Sequence, residues 1–222
     1  MNSGAPQAFL LDLDGTLVDS ERENIESVVR AARRHGVELS AEERQFVIGH
    51  SWNEIYGTLV RNHAALLVTM TRLIDEAVEE KRALLGTSGY RPLPGAIGAV
   101  ERFARTSKLA VVTGASTAEA RDAIAGIGIA GHLSTLVAAE DYKQGKPAPD
   151  PYQTAMARLG VDPARSIAIE DATPGILSAR AAGARVIAVR AGNFAGYDLS
   201  PAHAVVDTLD DVTDDLVAEL LA

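Results

Sequence analysis

Phe9-Leu10-Leu11-Asp12-Leu13-Asp14-Gly15-Thr16-Leu17-Val18-Asp19-Ser20 is the stretch on which the reading of this chain turns. Its first half is an apolar run of the kind that forms a buried strand, and it ends abruptly in two carboxylates and a glycine. Asp12 and Asp14 stand two apart, so on extended backbone their side chains leave from one face. Two like charges on one face of a core strand repel, and in a poorly solvated site one of them is driven to protonate. A divalent cation or a phosphoryl group would make the pair worthwhile. The plain alternative is an Asp-Gly turn at a strand end.

Beyond this stretch the pattern is helical. Ile25, Val28, Val29 and Ala32 recur at helical spacing after Ser20, and His35-Gly36 ends the run. Ser40 with Glu43, then Ser51 with Glu54, have the spacing of capping boxes and open two more helices. A long helix is predicted from about Ala64 to Leu85, stopping at Gly86. No strand-like segment interrupts residues 20–87, which therefore read as an insert, with 1–19 and 88–222 forming the main domain. The return linker, Tyr90 to Gly95, holds two prolines and a glycine.

The grammar then alternates: helix over 96–104, strand over 108–113, helix over 118–127, strand over 135–139 and helix over 151–159. Strand over 166–170, helix over 174–182, strand over 185–189 and a closing helix over 212–221 complete it. Strands separated by helices of about ten residues predict an α/β fold with a Rossmann-like parallel sheet. In such sheets ligands sit beyond the carboxyl ends of the strands.

Three further places at such ends attract attention. Thr113-Gly114-Ala115-Ser116 puts a hydroxyl and backbone N–H groups at a strand-to-helix turn, which is either an anion seat or an ordinary helix cap. Lys146 lies in Gly145-Lys146-Pro147-Ala148-Pro149-Asp150-Pro151, with Asp150 expected to cap the following helix and Pro151 to open it. Most lysines are solvated surface charges, as Lys143 is expected to be. Glu170 and Asp171 end an apolar strand together, which is hard to explain without a metal, although acids at helix starts are commonly dipole partners only.

These four segments, in this order, resemble the four motifs of the haloacid dehalogenase-like phosphohydrolases, from about Phe9 to Val189. Phe9 to Ser20 is similar to the signature DxDGT(L/V)xDS, and Gly145 to Asp150 to the lysine motif GKPxPD. The resemblance implies a core carrying an inserted four-helix cap, as in the β-phosphoglucomutase-like, phosphoglycolate phosphatase-like and phosphonatase-like subgroup. It makes Asp12 the nucleophile, Asp14 the general acid/base, Thr113 the holder of a phosphoryl oxygen and Lys146 the fixed cation. Mg2+ is the implied cofactor, with Asp12, the Asp14 carbonyl and Asp171 as ligands and Glu170 as a ligand or its neighbour. The implied substrate is a small phosphorylated metabolite. The Gly49-His50-Ser51-Trp52 loop matches the cap segment that lines the site in relatives, so His50 and Trp52, with Asn24, Arg22 and Glu21, are candidate substrate contacts.

Departures from the family patterns separate its chemistries. Dehalogenases lack the second Asp, and phosphonatases replace it while using a cap lysine. Here Asp14 is present and the insert's lysine, Lys81, lies in its long helix. The β-phosphoglucomutases carry a His ten residues beyond the second Asp, where this chain has Asn24. An amide cannot relay a proton as imidazole does. Phosphatase chemistry is the expectation, with mutase and non-catalytic binding as alternatives.

Composition is compatible with this. The 222 residues are 47% hydrophobic and 23% charged, with a net charge of −9 and no cysteine. The negative balance argues against nucleic acid or an anionic membrane as partner, and disulfides and thiolate metal sites are excluded. The start, Met1 to Gln7, lacks a signal-peptide pattern, and no apolar run reaches the ~20 residues of a membrane span. A cytoplasmic protein is expected.

Overall fold

The computed structural model describes residues 5–48, 50 and 52–222. Met1 to Gly4, Gly49 and the Ser51 cap expected for the third helix lie outside the described residues. In chain order the elements are β1 (Ala8–Leu11), β2 (Val18–Asp19), α1 (Glu21–Arg34), α2 (Ala41–Val47), α3 (Trp52–Asn62) and α4 (Met70–Ser88). Then come β3 (Arg91–Pro92), α5 (Ala96–Phe103), β4 (Lys108–Val112), α6 (Thr117–Gly126), β5 (Thr135–Val137) and α7 (Asp150–Leu159). The chain closes with β6 (Ser166–Glu170), α8 (Thr173–Ala181), β7 (Arg185–Val189), β8 (Ala204–Val206) and α9 (Asp214–Leu221). Two compact units result: Met1–Asp19 with Arg91–Ala222, and Ser20–Tyr90.

The larger unit is built on a six-stranded sheet in the order β5-β4-β1-β6-β7-β8, every neighbouring pair parallel. This is the α/β architecture that the strand–helix alternation predicts. β1 lies in the middle because it is apolar at every position and buried on both faces. Ala8 and Leu10 share one cluster with Ala110, Val112, Ala168 and the α7 residues Tyr152, Ala155 and Met156. On the other face, Phe9 stacks on Phe103 of α5, with ring centroids 3.9 Å apart. The two-residue strands β2 and β3 pair antiparallel.

The helical unit packs α1 along α4 around Val28, Val29, Ala32, Ile55, Leu59, Leu73 and Ala77. The Ser40–Glu43 capping box is present, and Glu43, itself buried, also accepts from Asn62 Nδ2 at 2.9 Å and lies 2.8 Å from His63 Nε2. Buried Glu76 accepts from Arg72 Nε at 2.7 Å and lies 2.6 Å from His35 Nε2. Both carboxylates thus have the partners that burial demands. No helix among the described residues is long and apolar enough to cross a membrane.

Several boundaries differ from the sequence expectation. α4 begins at Met70, not near Ala64, because the Thr69 hydroxyl caps it by accepting from Arg72 N, while Leu66 N bonds back to His63 O in a turn. It also continues through Gly86 to Ser88, and Gly89, at φ 75°, is the residue that ends it. The first residue of α7 is Asp150 and its cap is Pro149; the Asp150 carboxylate accepts from Gln144 N instead. α9 begins at Asp214, with Thr213 capping by accepting from Leu216 N. β2, β3 and β8 are too short for periodicity to reveal.

Leu10 is fully buried at the centre of this sheet. Leu10→Ala is expected to cost about 2–5 kcal/mol, read as a lower urea midpoint with unchanged slope.

Candidate active site

β4, β1 and β6 lie side by side, and sheet order runs outward in opposite directions from β1. Their carboxyl ends form the crevice in which α/β proteins bind ligands. Period-two alternation determines what faces this crevice. Ala8 and Leu10 face α7, as do Ala110, Val112 and Ala168. Continuing the two alternations puts Asp12 and Glu170 on that same face. Asp12 N still bonds Ile169 O at 3.0 Å, so Asp12 is held by the ladder although β1 itself ends at Leu11.

Three acids meet there. Asp12, Glu170 and Asp171 are 7%, 1% and 8% exposed, and one oxygen from each lies within 4.8 Å of the others. Lys146 enters from the loop before α7, where its peptide bond to Pro147 is cis. Its ammonium donates to Asp12 Oδ1, to Glu170 Oε1 at 2.6 Å and to the Val112 carbonyl at 3.1 Å. An ammonium has three protons, and all three are committed. Tyr152 donates its hydroxyl to the same Glu170 oxygen, and Lys146 Nζ stands 5.3 Å from the centroid of its ring. Thr16 Oγ1 donates to Asp171 Oδ1 at 3.1 Å. Two glycines leave the space that these carboxylates fill. A Cβ on Gly175 would stand 2.0 Å from the Glu170 carboxyl, and one on Gly15, at φ +82°, would stand 2.3 Å from Asp171 Oδ2.

The electrostatics follow from burial. Desolvation pushes Asp12 well above the ordinary carboxylate range, with Lys146 pulling it down and the two neighbouring acids pushing it further up. Asp171 is raised to about 8, first by burial and then by Glu170, while the Thr16 hydrogen bond opposes the shift. Burial alone would lower Lys146, but Asp12 and Glu170 outweigh it and hold the ammonium well above its usual value. One lysine among three buried carboxylates leaves the cluster short of positive charge. Its donor set is oxygen only, which suits a hard divalent cation such as Mg2+.

Other predicted residues land differently. The chain turns sharply after Asp12, with Val18 N bonding Leu13 O and Gly15 N bonding Val18 O, each at 2.9 Å. Asp14 therefore does not continue an extended strand, and it is half-buried outside the trio of acids. Thr113 is buried; its hydroxyl accepts from Ala115 N at 3.0 Å and its carbonyl accepts from Tyr142 OH at 3.0 Å. It is not the cap of α6, because Ser116 fills that place in a reciprocal box with Glu119. Gly114 beside it is exposed, as is Lys143.

Asn24, His50 and Trp52 belong to the helical unit. Asn24 is half-buried in the first turn of α1, and its carbonyl accepts from Ser27 Oγ at 2.7 Å. His50 is exposed and stacks on Phe46 with 3.8 Å between ring centroids. Trp52 packs against the helical core.

Tyr152, Thr16 and Tyr142 also bond into this region, and no charge or spacing pattern in the sequence marks them. A tyrosine in the buried stripe of α7 was the available signal, since a buried phenol needs a partner.

The model of the family described as haloacid dehalogenase-like hydrolase matches residues 9–189. The chain belongs to the haloacid dehalogenase-like hydrolases. Among its relatives in that family, hexitol phosphatase A of Escherichia coli is 37% identical over 196 residues, covering 83% of each chain. Validoxylamine A 7'-phosphate phosphatase of Streptomyces hygroscopicus is 34% identical over 181 residues, covering 78% of this chain and 81% of its own. This haloacid dehalogenase-like chain is a phosphatase, the class these relatives share. Its fold is similar to that of CbbY from Rhodobacter sphaeroides in complex with phosphate, with a TM-score of 0.82 at 22% identity, over 93% of this chain and 96% of the other.

The raised Asp171 carboxyl gives a prediction with a definite sign. Its proton is held more tightly folded than unfolded, so stability is greatest at or below the ordinary carboxylate range and is lost as pH rises through about 8. Without divalent cation, Asp171→Asn should melt above the parent protein at pH 8–9 and converge with it by about pH 4. Mg2+ should raise the melting temperature of the parent and not of the variant.

Proposed function

We propose that this chain is a Mg2+-dependent phosphohydrolase that releases phosphate from a small phosphorylated metabolite through a phosphoaspartate on Asp12. The observation that carries the reading is Asp12 itself: a buried carboxylate at a strand end, paired with Lys146 and adjoining two more acids. The Asp12, Asp171 and Glu170 carboxylates, with the Asp14 carbonyl, would hold Mg2+, which supplies charge neutralisation toward an incoming phosphoryl group.

The chain's own residues divide the remaining work. Lys146 favours the ionised form of Asp12, opposing the burial that would protonate it. Ionised Asp12 forms the O–P bond in line as the substrate's own P–O bond breaks. Asp14 gives its proton to the leaving oxygen, then takes one from the water that cleaves the acyl phosphate, so that Asp12 and Asp14 return to their starting states. The Thr113 hydroxyl and the Gly114 N–H hold phosphoryl oxygens, and Lys146 offsets the charge of the phosphoryl group.

The similarity to hexitol phosphatase A supports a sugar or sugar-alcohol phosphate as substrate. On the family resemblance, substrate choice is assigned to Asn24, His50 and Trp52 of the helical unit. Asn24 also favours hydrolysis over isomerisation, because it cannot change charge near neutral pH.

A panel of hexitol phosphates, hexose 1-phosphates and other phosphomonoesters, assayed with Mg2+ and with excess chelator, tests the reading. Turnover should require Mg2+, and hexose 1-phosphates should give free sugar and phosphate with no 6-phosphate. Asp12→Asn should reduce kcat by roughly 10^4-fold or more, the scale on which loss of a nucleophile is felt. Undiminished turnover in chelator, or accumulation of the 6-phosphate, contradicts it.

A further inference from the structure

Tyr152 is fully buried in the cluster between the sheet and α7. Packing accounts for its ring, and a phenylalanine would fill the same space. Packing does not account for the hydroxyl, which donates into a carboxylate oxygen that already accepts Lys146. The same ring lies under the ammonium at cation–π distance.

The arrangement has a directional consequence. Lys146 is shared between two anions, Asp12 and Glu170. Whichever carboxylate is the stronger acceptor draws the ammonium toward itself. A second donor on Glu170 Oε1 spends part of that oxygen's negative charge and weakens its hold on the lysine. It also fixes the Glu170 carboxylate against rotation, which matters because the neighbouring Gly175 has no Cβ to confine it.

We propose that Tyr152 is a positioning residue for phosphoryl transfer: by donating to Glu170 Oε1, it keeps the Lys146 ammonium on Asp12. This rests on the phosphohydrolase reading for its effect on turnover, and on the geometry alone for its effect on the lysine. Without the hydroxyl, the ammonium shifts toward Glu170 and Asp12 loses part of the partner that holds it ionised and oriented. Misplacement on this scale acts on the chemical step more than on substrate binding.

The test is Tyr152→Phe in the full chain, read two ways. In steady-state kinetics with Mg2+, kcat should fall roughly tenfold and KM should change by less than about twofold. The variant should stay folded, with a melting temperature lowered by roughly 3–12 °C for the lost hydrogen bond to a buried carboxylate, so the split between kcat and KM carries the kinetic test. The second readout needs no turnover. The chain has four lysines, at 81, 108, 143 and 146, so the Lys146 ammonium can be assigned in a 1H–15N correlation spectrum by its loss in Lys146→Met.

That signal should be protected from solvent exchange in the parent protein, and in Tyr152→Phe it should stay protected while its 1H and 15N chemical shifts move, as expected for a buried ammonium that leaves one carboxylate for another. An unprotected signal in the parent, or unchanged chemical shifts in the variant, overturns the proposal whatever the kinetics show. So does a kcat within twofold of an active parent. If the parent hydrolyses no phosphomonoester, the functional reading fails, and the Lys146 chemical-shift measurement alone then decides the role of Tyr152.

Discussion

The Lys146 ammonium, bonded at once to Asp12, Glu170 and the Val112 carbonyl, is the interaction on which the rest of the site depends. Three carboxylates buried within one small volume are costly together, because each is desolvated and each repels the others. One fixed cation lowers that cost for two of them, and Thr16 provides a donor for the third. On the proposed reading, a divalent cation would offset the remaining deficit of positive charge.

The fold supplies this arrangement by simple means. Period-two alternation along β1 and β6 carries Asp12 and Glu170 to the face where α7 packs. Lys146 precedes α7 by a few residues, and Tyr152 lies in its first turn. The loop into α7 and the first turn of that helix therefore deliver the cation and the phenol to the acids. Gly15 and Gly175 let backbone approach the carboxylates where any side chain would collide. The site is a local property of three adjacent strand ends and the loops that leave them.

Much of this is legible in the sequence, and the exceptions have physical causes. Asp12, Lys146, Glu170 and Asp171 stand out because charge at the end of an apolar run, or beside prolines, demands an explanation. Strand–helix alternation reveals the parallel sheet because each element is long enough to show its period. Tyr152 stays hidden because a tyrosine in an apolar helical stripe looks like core until its partner across the chain is known. Thr16 stays hidden because its acceptor is 155 residues away. Asp14 is misplaced by the assumption of extended backbone, which the turn from Leu13 to Val18 breaks. The late start of α4 reflects a hydroxyl cap at Thr69 that competes with a longer apolar pattern.

On the proposed reading the Asp12 carboxylate is the nucleophile of the covalent step. The most direct measurement is chemical capture of the phosphoenzyme. A turning-over mixture is quenched and reduced with borohydride, which converts an acyl phosphate on aspartate to homoserine, and the peptides are then read by mass spectrometry. The account predicts homoserine at position 12, dependent on substrate. Homoserine at another aspartate, or continued turnover with intact Asp12 and no trapped residue under any quench time, would contradict it.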